Sequence, residues 1–121
     1  MTICYFTASG NCLYVARRIG VTLLSIPQVM RQEKIEIEDD AVGIVCPVYA
    51  VELPFMIVDF MKKADIKTDY FFFILTCGYG YEVSLGHAEV AARERGWDLK
   101  YGNGVFMYQN ISEWYHPNIL L

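Results

Sequence analysis

Basic residues are scarce in this 121-residue chain: ten Lys and Arg stand against fourteen Asp and Glu, for a formal charge of −4. Only Arg17-Arg18 and Lys62-Lys63 are adjacent, so no basic patch exists to meet a phosphate backbone, and a nucleic-acid partner is excluded. Histidine occurs twice, at His87 and His116, and cysteine four times, at Cys4, Cys12, Cys46 and Cys77. No two cysteines form a CxxC pair, so neither a zinc site nor an iron-sulfur cluster is signalled, and no metal ligand is assigned. No apolar run approaches the ~20 residues that a membrane span requires. The basic segment, apolar core and small-residue cleavage site of a secretion signal are also missing. The expectation is a cytoplasmic protein with no membrane partner.

What the chain does have is apolar and aromatic. Hydrophobic residues make up 55% of it, with nine Tyr and seven Phe, a composition suited to a sheet covered on both faces. The length predicts one domain over residues 1–121, with an irregular tail from about 110 to 121. Strands are expected at about 2–7, 21–26, 41–46, 70–76 and 98–108. Between them come helices at about 11–19, from Pro54 to the Lys62-Lys63 pair, and from about Glu82 to Arg95, where Gly96 follows. Residues 21–24 could instead continue the first helix. Ile35 and Ile37 could make a brief edge strand, and a kink is expected near Gly102 and Gly104. Strands alternating with helices at this spacing predict an α/β doubly wound parallel sheet of right-handed crossovers. Ligands of such sheets sit beyond the carboxyl ends of the strands, where the strand order reverses.

Three loops leave such ends, and their chemistry differs. In the first, the apolar run Thr2–Phe6 breaks into Thr7, Ala8, Ser9, Gly10, Asn11 and Cys12 before helical spacing begins at Leu13. A strand, a polar turn and a helix N-terminus gather free backbone N–H groups and the positive end of the helix dipole, which is a seat for a phosphate. The alternative is a helix capped by Asn11 with no ligand. The second loop holds Pro47, Val48, Tyr49 and Ala50, and the third Cys77, Gly78, Tyr79, Gly80 and Tyr81. These offer flat aromatic surface and close backbone approach. One phosphate beside tyrosine faces suits flavin mononucleotide (FMN), a phosphate carrying a planar ring.

Thr7-Ala8-Ser9-Gly10-Asn11-Cys12 resembles the phosphate loop of flavodoxins, in which hydroxyl residues flank a Gly-Asn pair. The segments Tyr5–Ala16, Gly43–Tyr49, Leu53-Pro54 and Thr76-Cys77-Gly78 are similar to those of a bacterial family in which a flavodoxin-like domain precedes a ferredoxin-like one. The resemblance spans about residues 1–110. It implies a flavodoxin-like five-stranded sheet of order 2-1-3-4-5 with FMN at the switch point, an order for which flavodoxin is the type example. It also implies an electron-transfer flavoprotein, either a redox carrier or the flavin module of an oxidoreductase. The partner would be a redox protein such as a ferredoxin-like domain. No catalytic residue is assigned, because a flavin carries its own electron chemistry. Two features depart from the pattern. Cys12 replaces a hydroxyl residue; as a thiol at a helix N-terminus it could carry a lowered pKa, the commoner alternative being a buried, inert cysteine. The chain also stops where such domains continue into a last helix, which would be missing or incomplete here. An uncovered sheet face would favour a homodimer or strand exchange.

Other readings stay open at this stage. An FMN-dependent NAD(P)H reductase needs the same site, and a cofactor-free interaction module needs only the fold. Cys12 and Arg18 have the C-x5-R spacing of a low-molecular-weight tyrosine phosphatase, but an apolar helical stretch lies between them. A response-regulator receiver needs acidic residues after its first strand, where this chain has Phe6-Thr7.

Overall fold

The computed structural model describes residues 1–6, 11–19, 22–48, 53–77 and 81–106. In chain order the elements are β1 (Thr2–Tyr5), α1 (Asn11–Ile19), β2 (Thr22–Ser25), α2 (Ile26–Val29), β3 (Glu36–Glu38), β4 (Ala41–Pro47), α3 (Phe55–Lys63), β5 (Asp65–Lys67), β6 (Tyr70–Cys77), α4 (Glu82–Glu94) and β7 (Leu99–Phe106). Five strands form a parallel sheet ordered β2-β1-β4-β6-β7. Numbered within that sheet alone, the order is 2-1-3-4-5, as expected. β1 therefore has β2 on one side and β4 on the other, and the strand order reverses between β1 and β4.

The two central strands show why their sequences do not alternate. Every residue of β4 after Ala41 and of β6 after Tyr70 is buried, as non-alternating strands inside a parallel sheet are. Val42, Ile44, Phe71, Phe73 and Leu75 face one side, where Ile26 of α2, Ile57 and Phe60 of α3, and Ala88 and Ala92 of α4 close over them. Ile3, Val45, Phe72 and Ile74 face the other side, against Cys12 and Ala16 of α1. On that side Tyr70, at the start of β6, and Tyr101, in the edge strand β7, are 43% and 44% exposed. The expected incomplete last helix, and the tail from 110 to 121, lie outside the described residues. No described helix is long and apolar enough to cross a membrane.

Several expectations are corrected. The second strand, described over 22–25, ends one residue earlier than expected: Ile26 opens α2 because Pro27 suits the first turn of a helix, and Val21 lies outside the described residues. Residues 36–38 do form a strand, but it pairs with β5 in a separate two-stranded parallel sheet and not at the main sheet's edge. β5 itself has one buried residue, Ile66, between charged neighbours, so no periodicity announces it. The irregularity in β7 falls at Lys100, where the partner of β6 jumps from Leu99 to Tyr101. Gly102 and Gly104 let α4 close onto β7 instead: a Cβ at Gly104 would sit 2.2 Å from the Tyr81 ring, and one at Gly102 2.6 Å from Leu85.

Arg95 does not belong to a solvated helix face as Arg93 does. Its guanidinium donates to the Met61 and Lys62 carbonyls at 2.7 and 2.6 Å and meets Asp65 at 3.2 Å. It thereby supplies donors to the last turn of α3, where carbonyls lack partners.

At the amino-terminal end of the sheet, Asp39 ties the entry of β4 to β1. Thr2 Oγ1 donates to its carboxylate at 2.8 Å, the terminal ammonium lies 3.1 Å from the same oxygen, and the Asp40 N–H donates to the other at 2.7 Å. The Thr2 bond first, then the ammonium and Asp40 bonds, hold this carboxyl below the ordinary aspartate range. A lowered folded pKa means that the carboxylate stabilises the fold above that ordinary range. The contribution is lost as pH falls through the lowered value. Asp39→Asn should lower the melting temperature at neutral pH, and the gap to the parent protein should close as melts are taken into acid. A gap that does not change with pH would remove the carboxylate charge from this account.

Candidate functional site

The carboxyl ends of β1, β4 and β6 and the N-termini of α1, α3 and α4 all come to one rim of the sheet, as the right-handed crossovers require. Just past β1, the Phe6 N–H donates to Val45 O at 3.0 Å, and just past β4 the Val48 N–H donates to Thr76 O at 3.0 Å. The three strand ends are thus laced together before their loops depart. α1 begins beside the point where the strand order reverses. Its first turn carries no acidic residue and its last turn carries Arg17 and Arg18. The positive pole of this helix is therefore uncompensated by its own side chains, while the negative pole is matched.

Of the residues expected to bind the cofactor, Asn11, Cys12, Pro47, Val48, Cys77 and Tyr81 are described. Thr7, Ala8, Ser9, Gly10, Tyr49, Ala50, Gly78, Tyr79 and Gly80 lie outside the described residues. The fold brings the backbone of Asn11 and Cys12 to the rim as the start of α1, with Pro47, Val48 and Cys77 at neighbouring strand ends. Pro47 is the last residue of β4 and pairs with Thr76. Val48 is half-buried and packs on the core beneath α3. Tyr81 stands to one side of these. Its ring lies on the backbone of Gly104 in β7, and its hydroxyl donates to Asn103 Oδ1 at 3.1 Å.

Cys12 is only 1% exposed, and its sulfur lies 3.2 Å from Thr76 Oγ1. Burial pushes its thiol up to about 11, a rise that the Thr76 bond only partly offsets. The expectation of a lowered pKa is therefore overturned, because burial of the thiol dominates. The phosphatase spacing fails as well. Cys12 and Arg18 sit six residues apart on one helix, about 9 Å along its axis, and the exposed Arg18 guanidinium lies over the Tyr14 ring at 5.7 Å. A buried neutral thiol with no arginine beside it cannot act as a phosphatase nucleophile.

All four cysteines are buried free thiols. Burial pushes Cys4 up to about 12 and Cys46 well above the ordinary thiol range; Cys77 is raised by burial and then by the charge of Glu82. All four should resist iodoacetamide near neutral pH until the chain unfolds. Rapid alkylation of Cys12 in the folded protein would contradict its buried placement.

Thr76 is the residue that sequence reasoning missed as part of the site. Its signal is a hydroxyl ending the apolar run Phe71–Leu75, a position where a buried strand otherwise favours a β-branched hydrocarbon. A groove of about 830 Å³ among the described residues lies elsewhere, at the amino-terminal ends of the strands. Carboxylates of Glu38, Asp39, Asp40, Asp69 and Asp98 line it around Trp97. Among the described residues no His, Cys, Asp or Glu cluster is placed to hold a metal ion.

No protein-family model and no curated protein matches the chain. Among solved structures it is similar to a protein from Bacteroides uniformis ATCC 8492 that carries the provisional description of a flavoprotein. The two are 14% identical with a TM-score of 0.63, and the match covers 93% of this chain and 96% of that one. At this identity the likeness shows the fold. That fold is flavodoxin-like: five parallel strands in the order 2-1-3-4-5, with α2, α3 and α4 on one face and α1 on the other.

Proposed function

We propose that the protein binds FMN at this rim and serves as an electron-transfer flavoprotein, acting as a redox carrier or as the flavin module of an oxidoreductase. The observation that carries the reading is the N-terminus of α1, without an acid in its first turn, at the reversal of strand order between β1 and β4. An anion placed there meets backbone N–H groups and the helix dipole. The described rim residues fit such a ligand. Pro47, Val48 and Cys77 bring no charge that would repel a phosphate. The description of the Bacteroides structure as a flavoprotein supports the same reading.

In this reading the N–H groups at the start of α1 hold the phosphate, and the strand ends carrying Pro47, Val48 and Cys77 form the floor from which the ring loops rise. The flavin, when bound, supplies one- or two-electron transfer. The chain contributes position, exclusion of water and hydrogen bonds to the ring. The redox partner is proposed to be another protein, of the ferredoxin-like kind. Absorption and emission spectra of purified protein titrated with FMN test the central claim. Flavin bands with quenched emission and saturable binding are expected. Unquenched, non-saturating emission would leave a cofactor-free module with the same fold.

A further inference from the structure

We propose that Thr76 is a positioning residue, and that its contact with Cys12 sets the depth of the phosphate seat relative to the loops that hold the ring. This rests on the flavin reading above and deepens it. Thr76 is fully buried near the end of β6, the last strand position but one before the third loop. Its hydroxyl reaches the sulfur of Cys12, 64 positions away in sequence and in the first turn of α1. Its carbonyl accepts the Val48 N–H, where the chain leaves for the second loop. One residue therefore touches the start of α1 after the first loop, the exit to the second, and the strand that feeds the third.

A buried hydroxyl costs solvation that a valine of the same shape would not, so its presence is explained by what it contacts. The backbone bond to Val48 would survive Thr76→Val, since it uses only the carbonyl. The link to α1 would not. Without it, the first turn of α1 is free to shift against β6. The phosphate would then no longer sit at the distance from the ring loops that FMN requires. The loss should fall on the phosphate-dependent part of affinity and spare the ring.

The test compares FMN with riboflavin, which has the ring and no phosphate, on the parent protein and on Thr76→Val, Thr76→Ser, Cys12→Ala and the Thr76→Val/Cys12→Ala pair. Thr76→Val and Cys12→Ala should each weaken FMN about fivefold, the worth of one modest hydrogen bond, and leave riboflavin nearly unchanged. Thr76→Ser should restore the ratio, and the double variant should lose little more than either single one. Equal weakening of both ligands, additive effects, or a lowered melting temperature with an unchanged ratio would each overturn the proposal.

Amide exchange on the flavin-free protein reads the same coupling independently of any ligand. Thr76→Val should speed exchange at Val15 and Ala16, whose N–H groups close the first turn of α1, relative to residues of β4. Unchanged rates there would overturn the positioning role even if FMN binds. Faster rates in a protein that binds no flavin would instead sink the functional reading and keep the coupling.

Discussion

Gly43→Val is expected to destabilise the domain by about 3 kcal/mol, the upper part of the usual range for overpacking a buried site. Gly43 lies in the middle of β4, and a Cβ built there would fall 2.2 Å from both Cε2 and Cζ of Phe72. The ring of Phe72 is 5% exposed, and on its side of the sheet it shares a core with Ile3, Cys12, Ala16, Val45 and Ile74. The Tyr70 ring lies beside it, tilted by 48° with the centroids 5.9 Å apart. An aromatic ring cannot bend away as a lysine tail would, so the added methyls must displace β4, β6 or the ring itself. A fall in melting temperature on the order of 10 °C follows for a domain of this size. Removing the ring should relieve the conflict. Gly43→Ala combined with Phe72→Leu should cost less than the sum of the two single changes. Thermal melts of the four proteins measure this, and strict additivity would mean that the two residues do not compete for one space.

Deleting the phosphate from the ligand is the second large effect. Riboflavin should bind about 100-fold more weakly than FMN, because a dianion at the α1 N-terminus gains charge-assisted hydrogen bonds worth about 2–3 kcal/mol together. No lysine or arginine is found among the described rim residues, so in the proposed reading the described contribution comes from the backbone N–H groups at the start of α1 and from the dipole. These sit in place before the ligand arrives and cost little reorganisation. Calorimetric titration with the two ligands under one set of salt conditions gives the ratio directly. Equal affinities would show that the anion seat is not used, whatever the spectra say about the ring.

The elements that were legible in the sequence are those whose pattern is local. The helix over 11–19 is one of these, because the apolar residues Leu13, Ala16 and Ile19 recur at helical spacing after a polar stretch. β4 and β6 were legible because unbroken apolar runs of that length, flanked by turn residues, fit a strand buried on both faces. The strand order 2-1-3-4-5 came with the flavodoxin resemblance, and the observed pairing agrees with it. β5 was not legible. Three residues with a single isoleucine carry no period, and the strand exists because β3 offers a partner. Arg95 carries no local signal of its role, which exists because α3 places its last carbonyls within reach.

By itself, then, the chain's residue pattern determined an α/β parallel sheet whose strands alternate with helices, since alternation, apolar run length and turn chemistry act between near neighbours. Only the tertiary structure decided that Gly43 is a slot for Phe72, that Cys12 is a buried strut and no nucleophile, and that Thr76 joins it across 64 positions. The physical reason is that burial and contact between distant segments raise a thiol's pKa, leave no room for a Cβ and satisfy a hydroxyl. None of these is a property of a residue's neighbours in sequence.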